Sequence, residues 1–170
     1  KATHSYVIPR VPSNPKLIHG SIEMASNLGI SEADLTSTDF LNIFSGSKVY
    51  AKTKPYAMAY AGHQFGNWAG QLGDGRAINL FEIVHKKKRW AIQLKGAGKT
   101  PYSRQGDGLA VLRSSVREYL CSEAMFHLGV PTTRALGLML SGDDVLRDML
   151  YDGNADYEKG AIVSRVAPTF

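Results

Sequence analysis

The stretch RWAIQLKGAGKTPYSRQGDGLAVLRSSVREYL, residues 89–120, decides the fold. It begins as an apolar strand that ends in Lys95, passes through a basic glycine-rich loop, and then takes on helical periodicity. Its GAGKT segment is similar to the end of a P-loop, which needs an earlier glycine and a helix directly after the motif. Gln93 stands where that glycine is required and Pro101 follows Thr100, so the P-loop interpretation fails.

The flanking sequence predicts a set of strands around one long helix. A helix is predicted over 109–128, with Asp107 capping its start and one apolar stripe formed by Leu112, Val116, Leu120, Ala124 and Leu128. Strands are predicted over 56–62, 76–84, 89–95, 133–140 and 160–167. A glycine-rich turn precedes the second strand, and an acidic, turn-rich link separates the last two. The predicted class is therefore α+β.

The first fifty residues have a different character, with prolines in loops and short amphipathic segments. Helices are predicted over 20–28 and 31–43, and Ser31 with Asp34 has the outline of a capping box. We therefore divide the chain into an N-terminal extension, 1–50, and an incomplete nucleotide-binding domain, 51–170. The last residues resemble a strand that runs into the terminus, which predicts a chain that stops before a further lobe.

The order of elements from residue 56 is that of the small lobe of a protein-kinase-like fold: a twisted antiparallel sheet of about five strands with one large helix. In that plan a strand lysine binds phosphate and a helix glutamate orients it. Lys95 ends an apolar strand, and Glu118 shares a helix face with small side chains that leave room for a lysine. Glu123 is the rival partner, nearer the apolar stripe. Either glutamate could instead be a solvated residue.

Charge indicates the class of ligand. Formal net charge is +5, and residues 83–106 carry seven lysines and arginines and no carboxylate, which favours a polyanion. A nucleotide and a nucleic acid both qualify. A nucleic-acid site needs aromatic side chains among the basic ones, and only Trp90 and Tyr102 are available, so a nucleotide is preferred. No apolar run approaches the ~20 residues of a membrane span, and the single Cys121 excludes an internal disulfide and suggests a reducing compartment.

Two Gly-Asp-Gly segments are candidate ligand loops. In the first, Gly73 and Gly75 let backbone amides approach an anion and Arg76 adds charge. The spacing differs from the kinase motif GxGxxG, and such a segment is often only a turn. In the second, Asp107 and Gly108 precede the helix, where a cap and a ligand contact are compatible roles. His63 and Cys121 lack metal-ligand spacing and are interpreted as structural.

Three long segments carry a resemblance to a known family: YAGHQFGNWAGQLGDGRA, LKGAGKTPYSRQGDGLAVLRSSVRE and SEAMFHLGVPTTRAL. They closely resemble the selenoprotein O family, called YdiU in bacteria, with a looser match through SRVAP. The resemblance implies a pseudokinase fold that binds ATP in an inverted orientation and transfers AMP to hydroxyl side chains of proteins. By motif it implies that Glu118 supports the lysine, and that the nucleotide contacts are Gly73, Gly75, Arg76, Lys95, Asp107, Gly108 and Arg165.

The same resemblance places the catalytic aspartate and the ligands of Mg²⁺ or Mn²⁺ beyond Phe170, so no catalytic or metal residue is expected within the chain. We therefore expect a nucleotide-binding part that is inactive alone, in the cytoplasm of a bacterium or the mitochondrion of a eukaryote. Neither nucleic acid nor membrane is an expected partner. The alternatives are a non-catalytic ATP-binding regulatory module and a conventional kinase-like phosphotransferase.

Overall fold

The structure, a computed structural model, describes residues 3–170 and contains one antiparallel sheet with four helices beside it. The α+β prediction is confirmed, but the expected number of about five strands is too low, because the sheet has nine. The strand order is β1-β3-β5-β6-β9-β8-β2, with β4 paired to β3 and β7 to β9. The strands are β1 His4–Tyr6, β2 Lys16–Gly20, β3 Tyr56–Gln64, β4 Asn67–Gly73, β5 Ala77–His85, β6 Lys88–Lys95, β7 Ala110–Val111, β8 Arg134–Arg147 and β9 Asp156–Ala167.

The N-terminal residues are part of this sheet. Strand β1 pairs with β3 and β2 with β8, so the boundary predicted at residue 50 separates segments that share a sheet. The helices are α1 Ile22–Leu28, α2 Glu32–Leu35 and α3 Thr38–Phe44. The Ser31–Asp34 capping box is confirmed, but the single helix predicted over 31–43 is wrong, because Ser37 caps a new helix.

The main core lies between these three helices and one face of the sheet. It contains Met24, Leu28, Phe40 and Phe44 from the helices and buried strand residues that include Ile78, Ile92, Leu94, Met139 and Val166. Because strand side chains alternate between faces, the residues between these core positions point to the opposite face. That second face carries the long helix over one part and polar side chains over another.

The long helix, α4, comprises Leu112–His127. The prediction that it begins at residue 109 is wrong, because Ala110 and Val111 pair with β9 instead. Val111 is the N-cap and makes no side-chain cap, so the capping role predicted for Asp107 is also wrong. The apolar stripe is only partly right. Ser115 and Tyr119 form the buried face, whereas Leu120 and Leu128 are 61% and 76% exposed.

Two predicted turns are shorter than expected. The segment from Gly62 to Gly73 is mostly a hairpin of β3 and β4 with Phe65 and Gly66 at its tip, leaving 74–76 as the turn before β5. The acidic link is likewise largely strand, because β8 runs to Arg147 and β9 begins at Asp156. Within residues 3–170, no helix is both long enough and apolar enough to span a membrane.

Candidate nucleotide site

The centre of the candidate site is a cluster of two cations and one carboxylate. Lys95 ends β6, and its Nζ lies 3.0 Å from Glu118 Oε2 on α4. Arg165 of β9 donates through Nη1 to the other oxygen of Glu118, at 3.2 Å. The three side chains are between 19% and 25% exposed, so they are shielded but accessible. The structure thus brings the predicted Lys95, Glu118 and Arg165 together, with one more positive charge than negative.

The register of the sheet explains this meeting. Gln93 pairs with Arg165, and Lys95 pairs with Val163, across β6 and β9. Residues 93 and 95 are two apart, so both point to the face that carries α4. Arg165 donates from Nη2 to Gln93 Oε1, and its Nε is buried without a hydrogen-bond partner among the described residues. A bound anion would accept a hydrogen bond from this buried donor.

Glu123, the rival partner, has a different role. Its carboxylate accepts from Arg134 Nε at 2.9 Å, from Arg134 Nη2 at 2.8 Å and from the Ala135 amide at 2.8 Å. Burial opposes its ionisation, but these hydrogen bonds outweigh burial and hold the pKa of Glu123 below its ordinary value. Glu123 therefore fastens α4 to the start of β8 and lies outside the cluster.

The glycines of the first Gly-Asp-Gly segment are required by close packing. A Cβ on Gly73 would lie 2.4 Å from Tyr102 Cγ and 2.7 Å from the Met58 carbonyl oxygen. A Cβ on Gly75 would lie 3.0 Å from the Tyr102 carbonyl oxygen. The loop that follows β6 is held against this turn because Thr100 Oγ1 donates to the Asp74 carbonyl at 2.6 Å. No helix opens after Thr100, and Lys99 is exposed, in agreement with rejection of the P-loop.

The turn and the loop enclose a cavity of about 700 Å³. Gly73, Gly75, Arg76, Asp107 and Gly108 all line it, so five of the predicted contacts share one cavity. Its other charged residues are two further arginines, Arg104 and Arg147. Three arginines against a single carboxylate make this cavity suited to an anionic ligand.

Asp107 is engaged by a residue that the sequence reasoning missed. Arg147 holds its carboxylate through two hydrogen bonds, at 2.7 and 2.8 Å, and also donates to the Leu109 carbonyl. Burial raises the pKa of Asp107, but the bonds from Arg147 and from the Leu109 amide prevail and leave it below its ordinary value. The paired charges remove the repulsion that a free carboxylate would exert on phosphate. Arg147 lies in the acidic segment that the sequence predicted to be a turn, and for that reason it was not among the predicted site residues.

A second cavity, of about 830 Å³, has Gln93 and Arg165 in its lining together with aromatic rings from β1, β3 and Phe170. The predicted contacts are thus divided: five lie in the first cavity, Arg165 lines the second, and Lys95 lines neither. Of the residues that the structure describes, no three His, Cys, Asp or Glu side chains form a group suited to a metal ion.

The fold and the site define the class of the chain: an α+β protein with a large antiparallel sheet, in which a strand lysine is paired with Glu118 of the long helix. Comparison with known proteins is more specific. The chain belongs to the SelO family, since the family model described as protein adenylyltransferase SelO matches residues 2–170.

Three relatives, each named protein nucleotidyltransferase YdiU, illustrate the match. The protein of Flavobacterium johnsoniae is 69% identical over 98% of this chain, that of Tolumonas auensis 61% over 98%, and that of Rhodopirellula baltica 60% over 100%. In each case the match covers 32% of the relative. The chain therefore spans about a third of the length of these proteins.

Proposed function

We propose that this chain is the nucleotide-binding part of a protein adenylyltransferase, which transfers AMP from ATP to Ser, Thr or Tyr hydroxyls of other proteins. The names of the family and of its YdiU relatives support nucleotidyl transfer to protein. The observation that carries the proposal is the Lys95–Glu118–Arg165 cluster, in which two cations share one carboxylate. The remaining positive charge fits a phosphate group, as does Arg165 Nε, which has no hydrogen-bond partner among residues 3–170.

The proposed fold is the small lobe of a kinase-like protein. Lys95 would bind phosphate oxygens, and Glu118 would fix its direction. Arg165 departs from the usual kinase plan, in which the lysine binds the α- and β-phosphates and metal ions bridge β and γ. Arg165 and Gln93 lie on the sheet beside Lys95 and make this end of the site polar and positively charged. Such a surface favours phosphates over a purine. This supports an inverted nucleotide whose β- and γ-phosphates are held by Lys95 and Arg165.

The other predicted contacts then have roles in the first cavity. Gly73, Gly75 and Gly108 keep side chains out of it, and Arg76 supplies charge, while Asp107 in its pair with Arg147 is suited to a ribose or base contact. With ATP inverted, the acceptor hydroxyl oxygen attacks the α-phosphorus. The bond from the α-phosphorus to the bridging oxygen breaks, and pyrophosphate leaves. The catalytic base and the ligands of Mg²⁺ or Mn²⁺ are assigned to parts of the enzyme outside this chain.

The experiment is to supply the full-length protein with ATP labelled at the α- or the γ-phosphorus, with a protein acceptor present. Label retained in protein from the α position alone is expected. Label retained from the γ position would make the protein a conventional phosphotransferase. Retention of neither label, with ATP bound at equilibrium, would favour a non-catalytic ATP-binding module. The 170-residue chain on its own is expected to transfer nothing.

A further inference from the structure

A chain of buried polar side chains runs across the sheet from the glycine turn to Arg165. Asp74 lies between Gly73 and Gly75 and is 8% exposed, Asn79 of β5 is 3% exposed and Gln93 of β6 is 1% exposed. Asn79 lies directly opposite Gln93, and Gln93 directly opposite Arg165. The polar side chains thus form one row on the α4 face, and the apolar Ile78, Ile92 and Leu94 occupy the other.

Each hydrogen bond in this row fixes the direction of the next. Asn79 donates from its Nδ2 to Asp74 Oδ2, at 3.1 Å. Asn79 Oδ1 is thereby left to accept from Gln93 Nε2, at 3.1 Å. Gln93 in turn presents Oε1 to Arg165 Nη2. The Met58 amide also donates to Asp74, at 3.0 Å, which anchors the first residue of the row to β3.

Arg165 is therefore held at two points, by Gln93 on the sheet and by Glu118 on the helix. Together these contacts orient the guanidinium plane, and they leave Nε as a buried donor that no residue in the described part of the chain accepts from. Glu118 alone would not do this, because it is shared with Lys95. Hydrogen bonds along a buried polar row restrict the orientation of each side chain in it.

We propose that Asp74, Asn79 and Gln93 are positioning residues for the nucleotide. They hold Arg165 in the orientation that binds phosphate, and they tie that orientation to the glycine turn through Asp74. This inference rests on the proposed function, because it takes the ligand of Arg165 to be the triphosphate of ATP.

The test measures ATP binding to full-length protein by calorimetry, and initial rates where transfer occurs. Gln93→Met keeps the length of the side chain but removes both hydrogen bonds, and it is expected to weaken ATP binding roughly tenfold or more. Its effect is expected in KM for ATP with a smaller change in kcat. Gln93→Glu still accepts from Arg165, but its carboxylate cancels the one excess positive charge of the cluster, so it is expected to weaken ATP binding as well. Ser164→Ala is the matched control, because it removes a buried bond to the Phe44 carbonyl on the other face, and it should leave ATP affinity unchanged.

A double-mutant cycle separates positioning from general structural damage. If Gln93 acts through Arg165, Gln93→Met should have little further effect on ATP affinity once Arg165 is alanine. Equal effects in both backgrounds, or unchanged affinity in Gln93→Met, would overturn the inference while leaving the proposed function intact. Failure of the wild-type protein to bind ATP would overturn both. Should Gln93→Met not fold, Asn79→Leu, which removes the acceptor of Gln93 Nε2, makes the same comparison in the two backgrounds.

Discussion

Two glutamates of α4 are expected to have different roles, which single alanine variants can distinguish. Glu123→Ala should mainly lower stability, whereas Glu118→Ala should mainly weaken ligand binding. Arg134 is only 5% exposed, and Glu123 supplies two of its hydrogen bonds. Removing one partner of a buried ion pair costs about 3–5 kcal/mol. We expect Glu123→Ala to lie near the lower bound, because Arg134 keeps Glu23 at 3.2 Å and the Phe126 ring at 3.6 Å.

The assay is urea unfolding of the chain followed by circular dichroism. With a urea dependence of about 1–3 kcal/mol per molar for small proteins, a loss of that size lowers the midpoint by roughly 1–3 M. Glu118→Ala should cost about 1 kcal/mol or less, because Lys95 and Arg165 keep contact with solvent. Glu118→Ala should instead abolish most ATP binding in the full-length protein.

The pH dependence provides a second measure of the same pair. The pKa of Glu123 is lower in the folded chain than its ordinary value, so its contribution is complete above the unfolded pKa. The contribution is then lost as pH falls through the folded pKa. Glu123→Ala should therefore remove part of the decline in stability at acid pH. A smaller loss of stability for Glu123→Ala than for Glu118→Ala, or an unchanged acid limb, would refute this assignment.

Two further predictions concern neighbouring positions with opposite expected outcomes. In the full-length protein, Lys95→Ala should abolish transfer, whereas Lys99→Ala should weaken it only modestly because Lys99 is exposed on the loop. Steady-state rates check this ranking. The reverse order would exclude Lys95 as the phosphate lysine. Gly73→Ala should lower the free energy of unfolding by about 1–3 kcal/mol through its clash with Tyr102 and Met58. Gly62→Ala, where a Cβ meets nothing within 4 Å, is its control in the same hairpin, and equal effects in urea unfolding would contradict the packing argument.

Local patterns in the sequence predicted the elements that depend on neighbouring residues. Strand β5, the strand ending in Lys95 and the Ser31–Asp34 capping box were predicted because periodicity and caps are local signals. The start of α4 was missed because Ala110 and Val111 pair with β9, about fifty residues later in the chain. The exposed Leu120 was misplaced because the helix buries Ser115 and Tyr119 instead.

The residues of the site divide in the same way. Lys95 and Glu118 could be paired from the sequence, because a strand end and a helix face are readable from periodicity. Arg147 could not, since its contact with Asp107 joins residues forty positions apart. Asn79 and Gln93 carry a signal in the sequence, because each is a polar residue with apolar residues on both sides of it in a strand. Such a residue needs a buried partner, and two on adjacent strands can supply each other.

The two glutamates of α4 show how one helix can serve both stability and binding. Around Glu123, one buried arginine meets two carboxylates, and its hydrogen bonds are made within the protein. Around Glu118 the ratio is reversed, because two cations meet one carboxylate and a buried donor of Arg165 has no partner among the described residues. Only the second arrangement gains from an added anion, since a phosphate would balance the charge and accept from that donor. The excess of cations therefore supports, independently of any motif, the proposal that the ligand binds beside Glu118.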